Sequence, residues 1–292
     1  MASTVNNLFV LIRPHQYVKN FFIFMPLFFV GKITEPQILL NALIAFVAFS
    51  LSASAIYILN DYQDIENDRL HPHKKFRPLA SGAVTCKFAF ALMTGLFFIG
   101  GVVMGLLSLK ALGVLGAYVV LNVAYSFYIK HIAILDVTTI SIGFVLRLFV
   151  GSIVTDIPLS KWIVIMTFLL ALFMALAKRR DDVLLYLDTG KKMRKVVNGY
   201  NLQLIDGAMI IMASVVIVAY LQYSTSPEVV DRMQSDYLYL TALFVILAIM
   251  RYLQIAFVEK NSGSPTKIVL KDKFMQITIL AWICAFIWII YL

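Results

Sequence analysis

Residues 37–68 read QILLNALIAFVAFSLSASAIYILNDYQDIEND. From Gln37 to Asn60 there is no charge; then Asp61, Asp64, Glu66 and Asp68 follow in quick succession. A hydrocarbon layer of about 30 Å is crossed by about 20 apolar residues in helical form. The first part therefore predicts a membrane-crossing helix, and the second places a dense acidic segment at its end.

The same pattern extends outward. The 292-residue chain is 61% hydrophobic and 14% charged, against about 45–50% and about 25% for a soluble domain. Apolar runs at 20–34, 37–60, 87–109, 111–129, 132–154, 160–178, 207–224, 236–258 and 273–291 predict nine spans, the first of them short and interrupted by Pro26. Residues 1–292 read as one polytopic membrane domain, all helical, with long polar connections at about 61–86, 179–206 and 259–272. The N-terminal residues show neither the basic stretch nor the cleavage site of a removable signal, so the first apolar run is expected to stay.

Lys and Arg orient the bundle. With the N-terminus in the cytoplasm, only Lys32, Lys110, Lys161 and Arg232 of the 25 basic residues fall outside, and Arg147 lies within a span. This bias places the N-terminus and all three long connections in the cytoplasm and the C-terminus outside, in the cell (inner) membrane. The net charge of +9 is then positive-inside bias and attraction to anionic lipid, and no nucleic-acid partner is expected. Cys86 and Cys284 suggest neither a disulfide framework nor a zinc site.

In helical form, Asn60, Asp64 and Asp68 share one stripe, and Asp61 joins it three residues before Asp64. Such crowding is repulsive unless a cation neutralises it. Oxygen-only donors suit Mg²⁺, which shares its coordination with waters and substrate phosphates. The plainer alternative is a solvated acidic helix end. The loop HPHKKFRPLASG (71–82) supplies Lys74, Lys75 and Arg77, suited to phosphate oxygens. His71 and His73 are either further ligands or, more simply, polar loop residues.

Asn60 through Gly82 resembles the first aspartate-rich motif of the UbiA superfamily of intramembrane prenyltransferases, with its trailing HP-x-K-x-x-RP-x-x-x-G signature. Within it, RPHQYVKN (13–20), Asp136 to Arg147, and Ser160 to Arg180 resemble the polyprenyl-phosphate phosphoribosyltransferase branch. The resemblance covers about residues 10–205. It implies a nine-helix bundle around a cavity, Mg²⁺ as cofactor, and loss of diphosphate from the donor. The second motif departs from the aromatic-prenyltransferase pattern: KRRDDVLLYLD (178–188) lacks the D-x-x-x-D spacing and opens with three cations, as suits two phosphorylated substrates. Asp181-Asp182 with Thr189-Gly190 is a chance likeness to the loop of soluble phosphoribosyltransferases.

The reaction implied is transfer of 5-phosphoribosyl from phosphoribosyl diphosphate to a polyprenyl phosphate. The alternatives are an aromatic prenyltransferase and a non-enzymatic lipid carrier or subunit. The metal ligands expected are Asn60, Asp64 and Asp68, with Asp61, Asp64, Asp68 and Lys130 catalytic. Substrate contact is expected from Lys19, Asn20, Arg77, Tyr125, Arg147, Lys178, Arg179, Arg180 and Asp182. Arg147, a lone charge within a span, binds phosphate or the metal-site carboxylates, or else forms a structural ion pair. Tyr125 and Tyr128 are also suited to anchoring at the interface. Membrane lipids are partners, and a homo-oligomer is left open.

Overall fold

A computed structural model describes residues 2–70, 74–190, 195–260, 263 and 265–291. Its described elements are all helical. The chain divides into two compact units, Met1–Ile129 with Leu146–Pro158, and Lys130–Val145 with Leu159–Leu292.

The first unit starts with α1 (Ala2–Ile12), a 3₁₀ segment Pro14–Phe24 and the short α2 (Met25–Val30). Then come α3 (Pro36–Gln63), α4 (Ile65–Leu70), α5 (Cys86–Leu107) and α6 (Leu109–Phe127), and the unit also takes the second half of α7 (Leu135–Thr155). The second unit holds the first half of α7, then α8 (Lys161–Thr189), α9 (Leu202–Thr225), α10 (Pro227–Met233), α11 (Ala242–Phe257), α12 (Pro265–Lys271) and α13 (Lys273–Tyr291).

Seven described stretches are long and apolar enough to cross a membrane: α3, α5, α6, α7, α8, α9 and Leu238–Phe257. The ninth expected span falls on α13, whose apolar stretch Lys273–Ile289 is shorter than these seven. The first expected span is broken into the 3₁₀ segment and α2. Pro14 and Pro26 sit at the starts of these two pieces, where a missing N–H interrupts helical hydrogen bonding. Gly31, at φ +74°, closes α2.

Small residues set the packing of the first unit. α3 lies mainly on α5, and a Cβ added at Gly100 would fall 2.7 Å from the Ala48 carbonyl oxygen. Only glycine permits that backbone approach. Likewise, a Cβ at Gly151 would overlap the Ile23 carbonyl, which seats the second half of α7 on the 3₁₀ segment. Phe49, Tyr118 and Met104 fill the core between these helices. In the second unit α8 lies chiefly on α9, around Phe173, Met209 and Tyr252.

One polar connection differs from the sequence expectation. α8 does not stop near Lys178; it runs on to Thr189 and ends where Gly190 takes φ +66°. The intervening KRRDDVLLYLD has no helix breaker, and Arg179 pairs with Asp182 one turn on. The 61–86 connection is helical to Leu70 apart from Asp64, in keeping with the helical form in which Asn60, Asp64 and Asp68 share a stripe.

Candidate functional site

α3 delivers the acidic segment. Its regular helix ends at Gln63, and Asp64 turns out of it at φ −97°, ψ 5° before α4 begins. The expected continuous stripe is therefore kinked. Its register survives: the Asp64 N–H bonds to the Asn60 carbonyl at 3.1 Å, and the Asp68 N–H to the Asp64 carbonyl at 2.7 Å. Asn60 Oδ1 accepts a hydrogen bond from Ser126 of α6. Asp61 and Asp68 are buried, while Asn60 and Asp64 are half-buried.

Guanidinium groups face the buried pair. Arg77 Nη1 reaches Asp61 Oδ1 at 3.0 Å and Asp68 Oδ2 at 2.6 Å. Arg13 pairs with the same Asp61 oxygen and stacks over the Tyr57 ring. Arg13 holds a left-handed backbone, φ +53°, uncommon for a residue with a Cβ. Its pairing with Asp61 thus fixes the corner between α1 and the 3₁₀ segment. Two residues after Arg77 the chain is anchored: Leu79 and Ala80 are buried, and the Ala80 carbonyl accepts from Arg69 Nε at 3.3 Å.

Among the described residues no group of three His, Cys, Asp or Glu side chains forms a preformed metal site. The donor chemistry still fits Mg²⁺. The ion is usually held by one or two carboxylates together with substrate phosphates, not by an all-protein cage. The oxygens of Asn60, Asp64 and Asp68 on successive turns are such a partial set. His71 and His73 lie outside the described residues, as do Lys191, Lys192 and Arg194.

Deeper in the first unit, Arg147 is buried. Its Nε donates to Asn20 Oδ1 at 2.7 Å and its Nη2 to the Tyr118 hydroxyl at 3.1 Å. The guanidinium lies over the Phe49 and Tyr118 rings. Asn20 in turn donates to Ser50 Oγ at 2.8 Å. Burial, then the charges of Arg147 and Arg13, pull the Lys19 ammonium down to about 8. Tyr125 is half-buried near the end of α6.

In the second unit the cations of α8 divide. Lys178 is exposed, whereas Arg179 and Arg180 are buried. Arg179 Nε donates to the fully buried Asp136 at 2.6 Å, and its Nη1 to Asp182 at 2.5 Å. Tyr200 donates to the other Asp136 oxygen at 2.6 Å and accepts the Ile134 N–H at 2.7 Å. Burial and the bond to Asp136 push the Tyr200 phenol up. Arg180 pairs with Asp206 at 2.7 Å, donates to the Ala256 carbonyl at 2.6 Å and stacks on Phe257. Lys130 is half-buried in the short turn Ile129–His131.

The pairings of Arg13, Tyr118 and Asp206 are not indicated by any motif or spacing in the sequence. The one available signal was Asp206 itself, an acid next to an otherwise apolar run. Acids there require a nearby cation.

A profile of the UbiA prenyltransferase family matches residues 21–280. Decaprenyl-phosphate phosphoribosyltransferase of Mycolicibacterium smegmatis is 34% identical, over 96% of this chain and 91% of that protein. The Corynebacterium glutamicum protein of the same name is 31% identical, over 96% and 86%. Among solved structures, a UbiA homologue from Archaeoglobus fulgidus bound to GPP and Mg²⁺ superposes with a TM-score of 0.73. It is 16% identical and covers 98% of this chain and all of that one, a likeness of fold.

Proposed function

The chain belongs to the UbiA prenyltransferase family and is a transferase, and from this we propose that it moves a 5-phosphoribosyl group from phosphoribosyl diphosphate to a polyprenyl phosphate. The observation that carries this reading is near full-length similarity to proteins named for that reaction, at 31–34% identity. Nine spans, a cytoplasmic N-terminus and a cytoplasmic-facing site complete the reading. The positive-inside bias supports the orientation.

The donor's diphosphate is assigned to the acidic end of α3. When bound, Mg²⁺ would join Asn60, Asp64 and Asp68 to the diphosphate and draw charge from the leaving group. Arg77 offers a planar fork of donors to phosphate oxygens. Asp61, held by Arg13 and Arg77, keeps the end of α3 in place. The bond between C1 of the ribose and the diphosphate oxygen breaks, and the diphosphate leaves with the electron pair. An oxygen of the lipid phosphate forms the new bond to C1. That oxygen is already anionic near neutral pH, so no general base is required, and catalysis rests on orientation and electrostatics.

Lys19, Asn20 and Arg147 are assigned to the acceptor's phosphate in the first unit, with Tyr125 as a hydrogen-bond donor. In the second unit Lys130 and Lys178 are assigned to substrate phosphates. Arg179, Asp182 and Arg180 bear on substrate through the conformation of α8 that their pairs maintain.

The test is purified protein in detergent with Mg²⁺, radiolabelled phosphoribosyl diphosphate and a polyprenyl phosphate, beside Asp64→Asn. The expected result is label in the lipid phase, lost with chelator and in the variant. No transfer across several lipid lengths would overturn the reading.

A further inference from the structure

Arg77 supplies positive charge to two buried carboxylates at once. A single nitrogen, Nη1, bridges carboxylates from α3 and α4, 3.0 Å from Asp61 and 2.6 Å from Asp68. The two carboxylates are almost wholly buried, at 3% side-chain exposure each, whereas Arg77 is 26% exposed. Its backbone is held by turn hydrogen bonds, from its own N–H to the Lys74 carbonyl and from the Ser81 N–H to its carbonyl, both at 2.9 Å. The movable member of the cluster is therefore the guanidinium.

The two carboxylates also differ. Asp61 has a second guanidinium, Arg13, from the corner after α1. If Arg77 leaves, Asp61 stays neutralised, while Asp68 loses the guanidinium that bridges it and joins Asp64 and Asn60 as an oxygen donor. The same guanidinium, once moved, is a donor for phosphate. Resting on the diphosphate reading above, we propose that Arg77 is an exchangeable counter-ion. It fills the acidic site in the absence of substrate and passes from Asp61 and Asp68 to the donor's diphosphate as the metal takes Asp68.

Metal and Arg77 then compete for one carboxylate, and diphosphate removes the competitor. Metal and diphosphate must raise each other's affinity, since coupling between two binding events is reciprocal. Removal of Arg77 has opposite effects on the two ligands. Metal alone binds more tightly, because one positive charge has left the Asp61 and Asp68 carboxylates. Diphosphate binds more weakly, because its fork of donors is gone. A residue that merely holds the fold would weaken both.

The experiment uses the full chain in detergent. Mn²⁺ binding is followed by loss of the free-ion electron paramagnetic resonance signal, and radiolabelled inorganic diphosphate binding by equilibrium dialysis at fixed Mn²⁺. In Arg77→Gln, Mn²⁺ alone should bind about tenfold more tightly and diphosphate about tenfold more weakly. Arg77→Lys, whose ammonium lacks the fork, should shift both in the same directions by about threefold. It serves if the glutamine variant does not fold. Unchanged or weaker Mn²⁺ binding in the folded variants would overturn the exchange. Asp64→Asn separates the two failures. If it binds Mn²⁺ as the parent does, the metal site itself is wrong. If it loses Mn²⁺ while the Arg77 variants gain nothing, only the exchange is wrong.

Discussion

At the end of α3 the helix supplies carboxylates; the remote Arg13 and the nearby Arg77, 9 residues after Asp68, supply the guanidiniums. At the end of α8 the helix supplies guanidiniums, and α7 and α9 supply the carboxylates of Asp136 and Asp206. Each end extends a long apolar helix, and each is neutralised in part by a remote partner, Arg13 at the first and Asp136 at the second, that the linear sequence does not indicate. Charge read along a chain is not the charge a ligand meets. The three cations of Lys178-Arg179-Arg180 read as a phosphate-binding run, but two are buried against carboxylates, and only Lys178 is exposed. The ends also differ in depth. Arg179 and Asp136 are both almost fully buried, as befits a permanent lock, whereas the cation at the α3 end keeps a quarter of its surface open.

The largest expected effect breaks the lock. Arg179→Met leaves Asp136 as a buried charge without its guanidinium and should cost about 3–5 kcal/mol of stability, read as a fall in the thermal unfolding midpoint. Asp136→Asn together with Arg179→Met should recover much of it. Unchanged unfolding in the single variant would mean the α8 end is not a lock.

Next in size is the other end. Asp68→Asn should lower transfer by about 100-fold, roughly 2.7 kcal/mol of barrier, with a much smaller change in unfolding midpoint because Arg77 retains Asp61. Chelator should have the same effect on transfer and leave the unfolding of the Arg179 network untouched. A variant that unfolds instead would make the two ends alike.

The membrane helices were legible because hydrophobicity and length identify a span, and the acidic stretch from Asn60 to Asp68 because its local crowding is visible in sequence. The long-range pairs were not legible. Arg13 meets Asp61 across 48 residues, and Arg179 meets Asp136 across 43, and no spacing rule reaches that far. Pro26 signalled an interruption of the first span, but not that Pro14–Phe24 would be 3₁₀. Hydrophobicity ends at Lys178 while the helix does not, because Gly190 is the first breaker.

A smaller effect sharpens the α8 side. Tyr200→Phe removes a hydrogen bond to a buried carboxylate and should cost about 2 kcal/mol, with hydrogen exchange of residues 195–200 rising before that of α8. Smaller still is a pH effect in the first unit. Lys19 falls from 10.5 to about 8 on folding, so it carries its charge below about pH 8 and loses it above. Phosphate affinity should fall about tenfold as pH rises through 8, and Lys19→Arg should abolish the fall. Between pH 8 and 10.5 the unfolded chain holds more protons at this site, so its contribution to stability rises with pH.

The most direct measurement offers the purified chain both chemistries at once. Phosphoribosyl diphosphate, a prenyl diphosphate, a polyprenyl phosphate and an aromatic acid are incubated with Mg²⁺, and the lipid products are weighed by mass spectrometry. The expected outcome is a single product, the polyprenyl phosphate heavier by one phosphoribosyl group. A prenylated aromatic acid, with the polyprenyl phosphate unchanged, would contradict it.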